Sequence, residues 1–242
     1  HRRKYPLALQ HVSCVSEHVR RRLSEAGVLA QGARVIYNGI DPRPFLGANL
    51  ARLQARQGLR LIYTGSLVTH KGVRTAIEAL GLLQQRGQAN GLSLTIVGAG
   101  HPDYEAQLRE RANALGIAHQ VTFRGRVPRS EIAGILAEHD VFLFTSEYEE
   151  PIARSVMEAM AAGLAVIGTA VGGQREMLEN GANALVFPPG DASRLAECIL
   201  RLERDPALRL RLAEEGRALV LERFTLERMV DEMEAWLESI VR

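Results

Sequence analysis

Apolar and polar positions follow two different spacings along most of this 242-residue chain. Short, continuous apolar runs rich in β-branched residues predict buried strands at 59–64, 92–97, 121–123, 141–146, 164–168 and 183–187. Between these runs, helical spacing predicts helices over 72–86, 102–115 and 129–138, around 174–178 and from 191 onward. Such regular alternation predicts an α/β fold with a Rossmann-like, doubly wound parallel sheet covered on both faces.

The two ends of the chain do not share this alternation. The first segment predicts a strand at 11–15, a basic helix capped by Ser16 that runs to 26, and a strand at 34–37 before Asn38-Gly39. A polar run with prolines and glycines over 42–58 predicts a linker. The final helix carries an apolar stripe with Trp236 beside it, formed by Leu226, Met229, Val230, Met233, Leu237 and Ile240. Because large apolar patches rarely stay bare, we expect this stripe to be exposed only in part or to be covered.

The composition narrows the class of protein. With 46% hydrophobic and 24% charged residues, the chain is typical of soluble globular proteins. A formal net charge of +2 and 5% aromatic residues do not favour nucleic acid as a partner. Cys14 and Cys198 form no CxxC pair, which favours reduced thiols in a cytoplasmic protein. No apolar run reaches the roughly 18 residues needed to span a bilayer, and we expect no signal peptide before the fold.

The most informative motif is a pair of glutamates, Glu150 and Glu158, eight positions apart around a predicted helix start. Pro151 suits the first helical position, where free N–H groups and the helix dipole favour an anion such as phosphate. Glu158 has apolar neighbours on all sides of its helix, which is unusual for a carboxylate without a partner. By itself, Glu150 fits a surface carboxylate equally well.

This motif resembles the Glu-x7-Glu signature of the retaining glycosyltransferases of family 4, which belong to the glycosyl transferases group 1 and have the GT-B architecture. The resemblance implies that Glu150 orients the donor sugar and that Glu158 holds the ribose of a sugar nucleotide. It continues in Val15-Ser16-Glu17-His18-Val19 and in the run from Arg34 to Asp41.

The resemblance also implies a domain organisation. Residues 1–41 would be the remnant of an N-terminal acceptor lobe with its hinge, and 42–58 the interdomain linker. Residues 59–222 would be the nucleotide-sugar-binding domain, and 223–242 a helix that crosses back to the first lobe. On this resemblance, we expect the rest of that lobe to be missing from this sequence. The start at His1 rather than Met leads us to expect a trimmed chain.

The loop after the first strand of this domain, from Gly65 to Gly72, enters a helix and suits phosphate, with Lys71 as a point charge. The family pattern at this position is G-R-x-x-x-x-K-G, so the resemblance assigns Lys71 to the donor diphosphate and Gly65 and Ser66 to the nucleotide. Ser66 stands where relatives have arginine, so one cation is absent. Without the resemblance, Lys71 would be interpreted as a solvated lysine at a helix start.

Three further turns are candidates for the donor site. Gly98 lies in a Val-Gly-Ala-Gly turn that lacks the third glycine and the acidic residue of a nicotinamide-binding fingerprint, so we interpret it as a turn lining the cleft. Arg126 and Val127 match the F-x-G-x-V segment, whose backbone faces the nucleobase in the family, although a plain surface turn is the alternative. Gly172-Gly173 and Glu176 match a GG-x-x-E turn, interpreted as mainly structural, with Glu176 a weak candidate for contact.

The signature departs from many relatives at Ala153 and Arg154, where Phe-Gly-Leu is usual. Ala153 adds a Cβ that narrows the phosphate pocket while its N–H stays free, and Ser155 follows in the same helical turn. We hypothesise that Arg154 reaches the diphosphate and replaces the charge absent at Ser66, since arginine suits bidentate phosphate contacts. The alternative is a solvent-facing arginine.

The resemblance implies transfer of a hexose from a UDP-, GDP- or ADP-sugar to an acceptor hydroxyl with retention of configuration, without a metal or another cofactor. The acceptor would be a saccharide or a lipid-linked molecule of polysaccharide or glycolipid biosynthesis, with peripheral membrane contact at the inner face through the first lobe. We expect this chain alone to bind donor and to transfer no sugar. A non-catalytic sugar-nucleotide-binding module, a sugar-nucleotide epimerase and a phosphorylase remain as alternatives.

Overall fold

The computed structural model describes residues 11–29, 33–55 and 58–241. In chain order its elements are β1 (Ser13–Cys14), α1 (Glu17–Glu25), β2 (Arg34–Val35), α2 (Arg52–Ala55), β3 (Arg60–Thr64), α3 (Val73–Gln85), β4 (Ser93–Val97), α4 (Pro102–Ala114), β5 (Val121–Gly125), α5 (Arg129–Ala137), β6 (Val141–Phe144), α6 (Arg154–Ala161), β7 (Ala165–Gly168), β8 (Leu185–Val186), α7 (Ala192–Arg204), α8 (Pro206–Arg223) and α9 (Leu226–Val241). Short 3₁₀ turns lie at Arg43–Phe45, Thr69–Lys71, Ala118–Gln120 and Gly172–Glu176.

Six of the strands form one sheet, in the order β5-β4-β3-β6-β7-β8, and every neighbouring pair is parallel. The strand order therefore reverses between β3 and β6. In an open parallel sheet, the loops on either side of such a reversal diverge and leave a crevice at the carboxyl ends of the strands. The predicted α/β fold with a Rossmann-like, doubly wound sheet is confirmed.

The apolar residues of the sheet point alternately into two separate cores. On β3, Leu61 and Tyr63 pack against α3, α4 and α7, whereas Ile62 packs on the opposite face against α5 and α6. This alternation follows from the two-residue period of a strand, and it is why continuous apolar runs predict strands buried on both faces. The two cores make the sheet a rigid platform for the loops at its edge.

The N-terminal segment and the linker are folded onto this platform. Strand β1 pairs with β2 in parallel. The linker contains α2, in which Leu53 is fully buried and its carbonyl accepts a hydrogen bond from the buried guanidinium of Arg209. The described part of the predicted linker therefore packs against the sheet domain through α2. Residues 1–10, 30–32, 56–57 and 242 lie outside the described residues, and the proposed domain boundaries stay predictions.

The final helix α9 contains no buried residue. Leu237 is 50% exposed, and Leu226, Val230 and Val241 are exposed as well. This confirms the expectation that part of the apolar stripe is exposed. Within the part of the chain that the structure describes, no helix combines the length and the apolar character needed to cross a bilayer.

Several predicted elements differ in extent from the structure. The strands predicted at 11–15 and 34–37 are limited to Ser13–Cys14 and Arg34–Val35, and the strand predicted at 141–146 ends at Phe144. The helix expected around 174–178 is a 3₁₀ turn over Gly172–Glu176, because backbone contacts of its two glycines with a neighbouring loop place the turn earlier. The last strand of the sheet is limited to Leu185–Val186, since only those two residues pair with β7. Cys14 and Cys198 lie on β1 and α7 as expected, and both are free thiols.

Candidate active site

Two loops meet at the reversal of strand order. The Lys71 loop (65–72) follows β3, and the Glu150 loop (145–153) follows β6. The hydroxyl of Thr145 donates to the Lys71 carbonyl at 2.8 Å. Gly72 has a φ of +66°, and a Cβ at this position would overlap the Thr145 carbonyl oxygen. Glycine is therefore required for the close approach of the two loops.

Lys71 and Glu150 form an ion pair at this junction, with 2.6 Å between Nζ and Oε2. Their side chains are 26% and 14% exposed. The second carboxylate oxygen of Glu150, Oε1, is buried and accepts no hydrogen bond within the described structure. The pair borders a small cavity of about 50 Å³ that is lined by Tyr63, Thr64, Gly65, Lys71, Phe144, Ser146, Glu150 and Ser155. Because an unpartnered buried oxygen is costly, Oε1 is suited to accept a hydrogen bond from a ligand hydroxyl.

The floor of this cavity is built from the end of β3. The hydroxyl of Tyr63 donates to the Ser66 carbonyl at 2.9 Å. Burial, and to a lesser degree the charge of Glu150, raises the pKa of Tyr63, so the phenol stays a neutral donor. A Cβ on Gly98 would overlap the Gly65 carbonyl oxygen, which places these two predicted residues in contact. The Ser66 side chain is exposed.

A glycine turn supports the Glu150 loop from behind. The Gly173 N–H donates to the Glu150 carbonyl at 2.7 Å. A Cβ on Gly172 would lie 2.3 Å from the same carbonyl oxygen, and one on Gly173 would overlap the Pro151 carbonyl. The interpretation of Gly172 and Gly173 as structural residues is therefore supported by their packing.

This support also determines where α6 begins. The prediction that Pro151 is the first helical residue is wrong: Ala153 is the N-cap, with φ −84° and ψ 122°, and the helix begins at Arg154. The carbonyl of Glu150 is occupied by the glycine turn, and residues 151–153 lie outside the helix. Ser155 in the first helical turn lines the Lys71 cavity. Arg154 is exposed and does not line it, so the phosphate roles of Ala153, Arg154 and Ser155 stay predictions.

Glu158 lies just over one turn into α6, in a separate groove. Its side chain is 15% exposed, and Oε1 lies 3.7 Å from a guanidinium nitrogen of Arg129. Burial raises the pKa of Glu158, while Arg129 and Arg154 oppose the shift. The groove measures about 360 Å³ and is lined by Asp41, Pro44, Phe45, Arg129, Ser130, Ile132, Ala133 and Glu158. The apolar surroundings predicted for Glu158 are confirmed, since its helix neighbours Val156, Met157, Ala159, Met160 and Ala161 are buried.

Arg129 is the residue that sequence reasoning missed. It is the first residue of α5 and directly follows the loop that contains Arg126 and Val127. A cation next to the predicted nucleobase loop was the available signal, but the sheet order was needed to bring α5 beside α6. Arg126 is exposed, and Val127 is half-buried against the core that contains Ile62, α5 and α6. Their roles toward a nucleobase stay predictions.

Glu176 lies elsewhere. Its carboxylate accepts hydrogen bonds from the backbone N–H groups of Glu17 and His18 at the start of α1, and from the hydroxyl of Tyr37. It is absent from the lining of the Lys71 cavity.

The described residues contain no group of three or more His, Cys, Asp and Glu side chains placed to hold a metal ion. Independence from metal stays a prediction.

Residues 53–219 match the family described as glycosyl transferases group 1. The amylovoran biosynthesis glycosyltransferase AmsK of Erwinia amylovora is 34% identical over 199 residues, which are 80% of this chain and 47% of AmsK. The lipopolysaccharide core biosynthesis glycosyltransferase LpsE of Rhizobium meliloti is 28% identical over 94% of this chain and 65% of its own length. The chain thus spans about half to two thirds of the length of these relatives.

A solved structure agrees with these sequence matches. The crystal structure of Anabaena Alr3699/HepE in complex with UDP and glucose superposes with a TM-score of 0.83 and 26% identity, over 94% of this chain and 62% of that protein. The shared fold is the six-stranded parallel sheet with helices on both faces, and the family match covers both β3 and α6. On this evidence, the chain belongs to the glycosyl transferases group 1 family.

Proposed function

We propose that this chain is the donor-binding part of a retaining GT-B glycosyltransferase that transfers a hexose from a nucleoside-diphosphate sugar to an acceptor hydroxyl. The observation that carries the proposal is the Lys71–Glu150 ion pair at the crevice of the sheet, with an unpartnered buried oxygen beside it. Ligands of parallel α/β sheets bind in this crevice. A second glutamate, Glu158, lies on α6, the helix that follows the Glu150 loop, and lines a separate groove.

The chemistry of these groups suits a donor with a diphosphate. When the donor binds, Lys71 would leave Glu150 and form an ion pair with the diphosphate. The free N–H groups at the N-terminus of α6, near Ser155, would bind the same diphosphate. Such stabilisation of a leaving group contributes about 3–4 kcal/mol per donor removed in other enzymes. Glu150 Oε1 would accept a hydroxyl of the sugar, and Glu158 would accept a hydroxyl of the ribose. The departing phosphate oxygen would take the acceptor proton on the face where the new bond forms.

We propose a UDP-sugar as the donor, since HepE was crystallised with UDP and with UDP-glucose. We propose a saccharide as the acceptor, because two relatives are named for amylovoran and lipopolysaccharide core biosynthesis. The acceptor site would lie on a first lobe that is additional to the described domain. On this basis the isolated chain binds donor and does not turn over.

Titration calorimetry of residues 1–242 with UDP, GDP, ADP and UDP-glucose tests the donor assignment. We expect UDP and UDP-glucose to bind, and we expect Lys71→Met to weaken UDP binding by about 1.5–3 kcal/mol. Arg74→Met is the matched control, because Arg74 is an exposed cation on the next helix that pairs with Glu78. If none of the nucleotides binds, or if both variants lose the same affinity, the proposal is wrong.

A non-catalytic sugar-nucleotide-binding module is the second candidate, favoured by the partial coverage of the relatives. An activity assay with the first lobe supplied, in one chain or in trans, distinguishes the non-catalytic module from the glycosyltransferase. Acceptor-dependent transfer with the anomeric configuration retained, followed by NMR, would support the enzyme. An epimerase would instead convert the donor without any acceptor.

A further inference from the structure

Helix α1 is capped by a carboxylate from the sheet domain. Glu176 accepts the N–H of Glu17 at 3.0 Å and the N–H of His18 at 2.8 Å. The same carboxylate accepts the Tyr37 hydroxyl at 2.9 Å. Hydrogen bonds to an ionised acceptor at a helix N-terminus are among the stronger ones in proteins. Three of them on one side chain make Glu176 the main polar attachment of the N-terminal segment to the sheet domain among the described residues.

The turn that carries Glu176 is the turn that supports the Glu150 loop. It runs from Gly172 to Glu176, so the cap of α1 and the Gly173 contact with Glu150 belong to one 3₁₀ turn. Gln174 in the middle of this turn is fully buried, and neither atom of its side-chain amide has a hydrogen-bond partner in the structure. The glycine contacts at one end of the turn and the hydrogen bonds of Glu176 at the other therefore link it to the Glu150 loop and to α1.

Helix α1 also contacts the Glu150 loop directly. Oε2 of Glu149 lies 3.6 Å from Nε2 of His18 and 3.8 Å from Nε of Arg22. The side chains of Glu149 and Arg22 are more than half exposed, so these contacts contribute little by themselves. They nevertheless close a ring that runs from α1 through Glu176 and the glycine turn to the Glu150 loop, and from Glu149 back to α1.

We propose that Glu176 is a positioning residue for Glu150. By anchoring α1, Glu176 holds the glycine turn in place. This turn holds the Glu150 loop so that the side chain of Glu150 lines the cavity. The inference rests on the proposed function only for the consequence in sugar binding. The segment predicted to end the acceptor lobe would thereby set the geometry of the donor-sugar site.

Hydrogen exchange of the ligand-free chain tests whether Glu176 stabilises the glycine turn and the Glu150 loop. Glu176→Ala should increase amide exchange in residues 147–153 and at Gly173 by about tenfold or more, because local opening no longer breaks charged hydrogen bonds. Glu176→Gln keeps one acceptor oxygen and should give an intermediate value. Glu179→Ala, an exposed carboxylate nearby, is the matched control and should leave exchange unchanged.

Calorimetry tests the consequence for the site. In Glu176→Ala, we expect the affinity for UDP-glucose to fall about tenfold relative to UDP, since only the sugar depends on Glu150. A general loss of folding would lower both affinities together. Faster exchange in α1 with unchanged exchange in the Glu150 loop would overturn the inference, as would an unchanged affinity ratio. If wild-type protein binds neither nucleotide, the proposed function fails, and the exchange result still decides the role of Glu176.

Discussion

The Lys71–Glu150 pair allows one prediction with a definite sign. Two unit charges about 4 Å apart attract by about 4 kcal/mol at an effective dielectric constant of about 20. Both side chains are less than one third exposed, so screening is limited, but desolvation offsets much of the attraction. We therefore expect a coupling free energy of about 1–2 kcal/mol between Lys71→Met and Glu150→Gln in a double-mutant cycle.

The assay combines urea unfolding of the two single variants and the double variant with titration of UDP. Lys71→Met should cost about 1–3 kcal/mol of stability, because it leaves a mostly buried carboxylate unpaired. Glu150→Gln should leave UDP affinity unchanged or increase it, since Lys71 is released from a 2.6 Å contact with the carboxylate. A coupling energy near zero would show that Lys71 and Glu150 do not stabilise each other. Equal losses of UDP affinity in both single variants would refute the idea that Lys71 leaves Glu150 to bind the diphosphate.

Further predictions concern other residues. Glu158→Ala should weaken UDP binding by about 1–3 kcal/mol in calorimetry through loss of a charged acceptor for the ribose, and unchanged affinity would remove Glu158 from that role. Arg154→Leu should weaken UDP more than UMP, by about 1.5–3 kcal/mol, and Ser66→Arg should recover much of the loss. Simple additivity of the Arg154 and Ser66 changes would contradict the compensation. His139 is buried between the Ile135 carbonyl and Thr95, and burial lowers its pKa. Because the unfolded chain then binds more protons, the free energy of unfolding should fall as pH drops below about 6.5, and His139→Gln should flatten that slope in urea titrations. An unchanged slope would assign the pH dependence to other groups.

Local pattern was sufficient for the fold class and for most strands and helices of the sheet domain. Continuous apolar runs identified the strands because both faces of a parallel sheet are buried, and Ile62 and Tyr63 indeed pack into opposite cores. Lys71 and Glu150 each follow a strand, and all parallel strands end at one edge. Their roles came from the resemblance to the family, because the residues by themselves also fit a solvated lysine and a surface carboxylate. A residue's place after a strand is a property of the neighbouring sequence, so it could be predicted.

Local sequence patterns do not predict which loops contact each other. The strand order places β3 beside β6, and only that adjacency brings Lys71 to 2.6 Å from Glu150. The same long-range packing moved the start of α6 from Pro151 to Arg154, since the Glu150 carbonyl bonds Gly173 rather than its own helix. Arg129 and Glu176 acquired their partners in the same way.

Sequence by itself therefore determined the fold class, most strands and helices of the sheet domain, and which loops lie at the carboxyl edge of the sheet. Tertiary structure alone decided which of those side chains pair, where the helix under the signature begins, and that Glu176 caps α1. The physical reason is that burial and periodicity act over a few neighbouring residues, whereas pairing depends on contacts between residues far apart in the chain.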